Sequence, residues 1–145
     1  MVVPLLLDVN VLVAMHVPGH EDFDRAQHWF AKNAAGYFAT CAITESGFVR
    51  VSAQISVKDW AIQFSESRIA LDHLMNLPGH HYWRTDISYL EATKHFEPRM
   101  QGYRQVTDAF LLGLALHHRG KLATFDRAIL HLAGPEFRDR VELID

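Results

Sequence analysis

Short apolar runs that alternate with helical segments constrain the fold of this chain more than any other feature. The first run, VPLLL at 3–7, ends at Asp8 and has the length of a strand buried on both faces of a parallel sheet. Similar runs follow at 37–41 and 121–125. Parallel strands joined by helices need right-handed crossovers, which cover both faces of a sheet. The pattern predicts a three-layer α/β/α sandwich around a central, mostly parallel sheet, with 3–7 as its central strand.

Helical periodicity and helix start and stop signals predict the remaining elements. Short strands are predicted around 81–83 and over 141–144. Helices are predicted over 21–34, from about Thr44, from Ser56 and Asp59 to Pro78, over 88–96, from a cap at Thr107 to Gly120, and over 126–133.

Length and composition favour one globular domain over residues 1–145. The 145 residues include 49% hydrophobic and 21% charged residues, without repeats or linker-like stretches. Cys41 is the only cysteine, so a disulfide framework and a thiolate metal site are excluded, and we expect it to fill core space in a reducing cytoplasm. The apolar N-terminus lacks a basic region and is interrupted by Pro4, which argues against a signal peptide or a membrane anchor.

Four acidic residues occupy equivalent places in this predicted fold. Asp8 and Asp126 each follow a strand, and Glu45 and Asp108 each lie near the start of a helix. Each position alone has a simpler explanation, because carboxylates cap helices and are stabilised near helix N-termini. Since open α/β sheets bind ligands at the carboxyl ends of their strands, the four together predict a single site.

Carboxylates gathered in a partly buried cleft repel one another unless a cation neutralises them. Asp8 and Asp108 both lie against apolar sequence, and an all-oxygen donor set suits Mg²⁺ or Mn²⁺. Such a site supports hydrolysis of a phosphodiester by an activated water.

The net charge of −3 and the pI near 6.3 argue against binding of a polyanion through bulk charge, so any contact with nucleic acid must be local.

The segments LLLDVNVL, AITESGFVRV, RQVTDAFLLGLA and LATFDRAI closely resemble the PIN-domain ribonucleases, in particular the VapC toxins of bacterial toxin–antitoxin pairs. The resemblance covers nearly the whole chain. It implies a magnesium-dependent endoribonuclease that forms a homodimer and is inhibited by a cognate antitoxin. The residues that it implies for catalysis and metal binding are Asp8, Glu45, Asp108 and Asp126.

The same resemblance implies supporting roles for three further residues. Asn10 and Thr124 match positions that hydrogen-bond to the site, and Thr107 precedes the third acid. Helix capping explains Thr107 equally well. Among the basic residues near these motifs, Arg104 is the preferred candidate for contact with RNA phosphate, although a solvated surface charge is the commoner role for such a residue.

The ten histidines do not show the spacing of a known zinc motif. His117 and His118, for example, are neighbours that point about 100° apart on a helix. We therefore expect structural or surface roles for most of them.

Two other functions remain compatible with parts of the sequence. A non-catalytic PIN fold would bind RNA or protein without needing metal, although the presence of all four acids argues against it. A phosphotransfer domain could also carry an aspartate after its first strand, but Asn10 stands where a phosphatase of that kind needs a second acid.

Overall fold

A computed structural model describes residues 2–57 and 60–145, without the side chains of residues 56, 57, 60 and 61. The strands, in chain order, are β1 (Leu5–Leu7), β2 (Phe38–Thr40), β3 (Ser56–Val57), β4 (Trp60–Ala61), β5 (His80–Tyr82), β6 (Lys121–Thr124) and β7 (Val141–Leu143). The helices are α1 (Val9–His16), α2 (Phe23–Asn33), α3 (Ala42–Ser52), α4 (Phe64–Met75), α5 (Tyr89–Thr93), α6 (Gln105–His117) and α7 (Ala128–Phe137).

Five strands form one parallel sheet in the order β5-β2-β1-β6-β7. The chain first adds strands on one side of β1 and then crosses to the other side with β6. The sheet therefore has a topological switch point between β1 and β6, where open α/β sheets bind their ligands. The predicted α/β fold and the central position of the first strand are both confirmed.

Helices cover both faces of the sheet because the strands are apolar on both sides. In β1, Leu5 and Leu7 pack into a core shared with α1 to α4, and Leu6 packs into a second core shared with α5 to α7. This alternation follows from the two-residue period of a strand. The result is the predicted three-layer sandwich, and Cys41 is buried within it, as expected.

Helix α1 was not predicted from the sequence. Its residues Val11 to Met15 are all buried, so the segment has no polar face to give an amphipathic pattern. An apolar run of this kind cannot be distinguished from a buried strand by periodicity. In the structure the carboxylate of Asp8 accepts a hydrogen bond from the Val9 amide and caps the helix.

The predicted helix start at Ser56 and Asp59 is wrong. Ser56 belongs to an antiparallel pair, β3 with β4, while Asp59 lies outside the described residues. Helix α4 begins at Phe64, where Gln63 and Glu66 form a reciprocal capping box that satisfies the first amides. The Ser-x-x-acid pattern was therefore a misleading start signal.

The predicted cap at Thr107 is also wrong, because α6 begins earlier than the sequence suggested. Its N-cap is Arg104, so Thr107 lies inside the first turn and is exposed. Asp108 remains in the first turn, as predicted.

Within the described part of the chain, no helix has both the length and the hydropathy needed to cross a bilayer.

The close crossing of α5 and α6 generates a prediction about stability. A Cβ atom added at Gly113 would overlap the carbonyl oxygen of Ala92 on α5. Helix propensity favours Gly113→Ala by about 1 kcal/mol, but the backbone of α5 has to move away. We expect a net loss of roughly 1–3 kcal/mol in the free energy of unfolding, measured by urea titration. Gly102→Ala is the control, because a Cβ there meets nothing within 4 Å; equal stability of the two variants would contradict the prediction.

Candidate active site

The switch point of the sheet holds two of the predicted acids. Asp8 follows β1 directly, and Asp126 follows β6 after one intervening residue. These strands are hydrogen-bonded neighbours, with Leu7 opposite Ala123. The Asp8 amide extends the pairing by donating to the carbonyl of Ala123. The parallel register therefore brings two residues far apart in sequence to the same edge of the sheet.

The hydroxyl of Thr124 joins three parts of this site. It donates to Asp8 Oδ2 at 2.8 Å, and its oxygen lies 3.1 Å from both Asn10 Nδ2 and the amide nitrogen of Asp126, which donate to it. Asn10 Oδ1 in turn accepts from the Phe125 amide at 3.3 Å. Since Thr124 is fully buried, this network fixes the relative positions of β1, the start of α1 and the turn after β6.

Asp8 is a buried carboxylate, only 6% exposed. Each of its oxygens accepts one hydrogen bond, from the Val9 amide at 2.7 Å and from Thr124. Burial raises the pKa of Asp8 above its usual range, the two hydrogen bonds oppose this, and the charge of Asp126 adds to the rise. Each oxygen keeps a second lone pair that could bind a cation.

Asp108 approaches the same site from the first turn of α6. Burial raises its pKa to about 7, with further contributions from the negative charges of Asp8 and Asp126. These two contributions show that the three carboxyls share one electrostatic environment. A carboxyl with a pKa this high marks a place where added positive charge would be stabilising.

Glu45 lies on α3 and is held beside the end of the neighbouring strand. Its Oε2 accepts a 2.7 Å hydrogen bond from the hydroxyl of Thr40, the last residue of β2. The Thr40 oxygen lies 2.8 Å from His80 Nε2. Because the Thr40 proton goes to Glu45, His80 is the donor in this contact, and its Nε2 carries a proton. Sequence reasoning missed Thr40 and His80, which carry no spacing signal.

The structure connects some of the predicted site residues more closely than others. The negative charges of Asp8 and Asp126 both act on Asp108, and Asn10 and Thr124 tie Asp8 to the turn that carries Asp126. Glu45 lies at the same edge of the sheet, held there by Thr40.

Two predicted residues stand apart from this network. Thr107 is exposed on α6 and does not cap it. Arg104 is exposed at the start of α6, one turn before Asp108, with its guanidinium carbon 5.9 Å from the centre of the Tyr103 ring.

The donor set fits a hard divalent cation. Among the described residues, no three of the four acids bring ligand oxygens within 4.8 Å of one another. All four donors are carboxylates, the ligand type that Mg²⁺ prefers, and Mg²⁺ typically keeps several waters while using only one or two carboxylates. Neutralisation by a cation would also remove the cost of ionising Asp108 near neutral pH.

Comparisons with known proteins agree with this geometry. Residues 5–135 match the family model described as the PIN domain. The chain is 41% identical over 139 residues to Ribonuclease VapC38 of Mycobacterium tuberculosis, covering 96% of each protein. It is 36% identical over 124 residues to Ribonuclease VapC39 of the same organism, covering 86% of this chain and 89% of the relative.

A solved structure shares the fold at low sequence identity. This is the crystal structure of VapBC2 from Rickettsia felis bound to a DNA fragment from its promoter. The TM-score is 0.64 at 14% sequence identity, and the alignment covers 98% of this chain and 99% of that chain. The chain therefore belongs to the PIN-domain family. Within that family it groups with the VapC ribonucleases.

The raised pKa of Asp108 predicts a pH-dependent cost to folding. Its folded pKa of about 7 lies above its ordinary value of 3.8, so stability should fall as pH rises from about 4 to about 7. Asp108→Asn removes this cost. With chelator present, we expect the variant to be more stable than wild type at about pH 8, and the difference to shrink toward about pH 4.

Urea unfolding at a series of pH values measures this difference. Asp139→Asn, at an exposed position, is the matched control and should follow wild type. A stability difference between Asp108→Asn and wild type that does not change with pH would contradict the prediction.

Proposed function

We propose that this chain is a metal-dependent endoribonuclease and the toxin of a toxin–antitoxin pair, like its VapC relatives. The observation that carries the proposal is the raised pKa of Asp108 beside Asp8 and Asp126 at the switch point of the sheet. A group of carboxyls that resist ionisation is costly to a protein without a cation. The identity to the VapC ribonucleases favours catalysis over the alternative of a non-catalytic binding module.

Each acid has a proposed role in the reaction. Asp8 and Asp108 would bind Mg²⁺, or Mn²⁺ in its place, with Glu45 close to the same ion. Asp126 is more exposed and would bind through water, since one of its oxygens already accepts a hydrogen bond from the Ala128 amide at 2.9 Å. When bound, such an ion makes water a better nucleophile and stabilises negative charge on a phosphate.

The surrounding residues would hold these acids in place. Thr124 and Asn10 position Asp8 and the turn that carries Asp126. Thr40 orients the Glu45 carboxylate through its hydroxyl. Thr107, which precedes Asp108 in the first turn of α6, would support the site beside it.

Recognition of RNA would be local, as the net charge of −3 requires. Arg104 and Tyr103 lie together at the start of α6, and Tyr103 is 81% exposed. Arg104 would contact a phosphate of the RNA, and the Tyr103 ring would stack on an unpaired base.

The proposed partners are a cognate antitoxin and a second copy of the chain. The structurally similar VapBC2 supports an antitoxin partner. Exposed apolar side chains, including Phe64, Ile69 and Leu90, would contribute to these contacts. We propose a homodimer that acts in the cytoplasm.

Asp8→Asn tests the catalytic proposal most directly. The amide keeps the shape of the side chain and can still accept a hydrogen bond from Val9, but it removes the charge of a metal ligand. We expect cleavage of a susceptible RNA in Mg²⁺ to fall by at least about 100-fold, and chelator to abolish cleavage by wild type. Asp139→Asn should retain full activity. Undiminished cleavage by purified Asp8→Asn would refute the proposed mechanism.

The toxin role is tested separately in cells. Induced expression of the wild-type chain in a bacterium should arrest growth, because cleavage of essential RNA stops translation, while Asp8→Asn should not. Co-expression of the proposed antitoxin, to be sought as a small protein encoded beside this gene, should restore growth. Normal growth with active wild-type enzyme would point to a housekeeping nuclease instead.

A further inference from the structure

A second cluster of potential metal ligands lies outside the acidic site. Among the described residues, Asp86, His117 and His118 place one ligand atom each within 4.8 Å of one another. His117 Nε2 lies 3.1 Å from Asp86 Oδ1, and His118 Nε2 lies 3.9 Å from the same oxygen. No spacing pattern in the sequence predicts this group, because Asp86 is 31 residues away from His117.

The fold holds these three side chains in place from two directions. His117 is the last residue of α6, and His118 is its C-cap. The His118 ring stacks on the indole of buried Trp83 at 4.6 Å between ring centres, and its Nε2 lies 3.0 Å from the carbonyl oxygen of Arg84. Asp86 belongs to the same segment after β5. Stacking on Trp83 therefore holds the His118 ring near Asp86, while its Nε2 proton goes to the carbonyl of Arg84.

A surface pair of histidine and aspartate is a common feature without any metal, and Asp86 with His117 alone would carry no inference. Here a second imidazole, stacked on Trp83, lies with its Nε2 3.9 Å from the same carboxylate oxygen. A tetrahedral Zn²⁺ about 2.1 Å from each ligand atom puts neighbouring ligand atoms about 3.3 Å apart. The Nε2–Oδ1 separations of 3.1 Å and 3.9 Å lie on either side of that spacing, and all three ligand atoms are within 4.8 Å of one another.

The chemistry of these ligands differs from that of the acidic site. Two imidazoles and one carboxylate suit Zn²⁺ and related transition metals, whereas Mg²⁺ prefers oxygen ligands alone. The C-terminal end of a helix also favours a bound cation, because its last carbonyls carry partial negative charge. The two sites would therefore select different ions.

We propose that Asp86, His117 and His118 form a binding site for a divalent transition metal, with Zn²⁺ as the best-fitting ion. Each imidazole would bind through Nε2 after losing the proton there, which for His118 means giving up its hydrogen bond to the Arg84 carbonyl, and water would complete the coordination. The ion would link the segment after β5 to the end of α6. This site is independent of the nuclease proposal, because it lies at the opposite end of α6 from Asp108.

Calorimetric titration of the tag-free chain with Zn²⁺ tests the site. The parent protein should carry Asp108→Asn, so that the acidic site contributes less to binding. We expect one equivalent of Zn²⁺ to bind and to raise the melting temperature. His117→Asn and Asp86→Asn should each weaken binding by at least about tenfold, the lower bound for losing even an outer-shell partner of a metal. Both positions are exposed, so the variants should fold.

His131→Asn is the matched control, because His131 is an exposed histidine on α7 outside the cluster. It should bind Zn²⁺ like the parent. Substitution with Co²⁺ adds a spectroscopic test, since a tetrahedral site gives strong visible absorption that His117→Asn should remove. Failure to bind Zn²⁺, or binding that survives both His117→Asn and Asp86→Asn, would overturn the proposal. Loss of RNA cleavage would not affect it.

Discussion

The site depends on the hydroxyl of Thr124. A hydroxyl offers one proton and two lone pairs, and all three are used here, toward Asp8, Asn10 and the amide of Asp126. Because Thr124 has no exposed surface, none of these bonds can be replaced by bulk water. The proton is directed at Asp8, so the network favours Asp8 as an acceptor and therefore in its ionised form.

The hydrogen bonds of Thr124 hold together acidic side chains whose ionised forms are disfavoured by burial and by mutual repulsion. Burial and mutual repulsion raise the pKa values of Asp8 and Asp108, so the acidic edge of the sheet costs stability at neutral pH. The two apolar cores on either side of the sheet offset that cost, with β1 packing into both. Proteins commonly carry such local instability where function needs it.

The sequence predicted the layers and the acidic residues because both depend on local patterns. Buried strands appear as apolar runs, and the carboxyl ends of parallel strands must meet at one edge. Helix α1 was missed because a helix buried on every side has no amphipathic period. The start of α4 was misplaced because Ser56 fitted a capping pattern that a strand pair overrides.

Other contacts of the two sites join residues that are distant in sequence, and no pattern in a single sequence encodes such contacts. Thr40 reaches Glu45 only because α3 folds back over the end of β2, and His80 joins them across the β2–β5 register. Asp86 meets His117 because the segment after β5 passes the end of α6. From the sequence we expected mainly structural or surface roles for the histidines, so the cluster of Asp86, His117 and His118 was not predicted.

The contact between Asp8 and Thr124 spans 116 residues of chain, and the central strand is completed only when β6 pairs with it. A ribosome synthesising this protein therefore carries a nascent chain whose first acid has neither its hydroxyl partner nor its neighbouring carboxylates for most of translation. The enzyme cannot assemble its cleft until nearly all of its own message has been read.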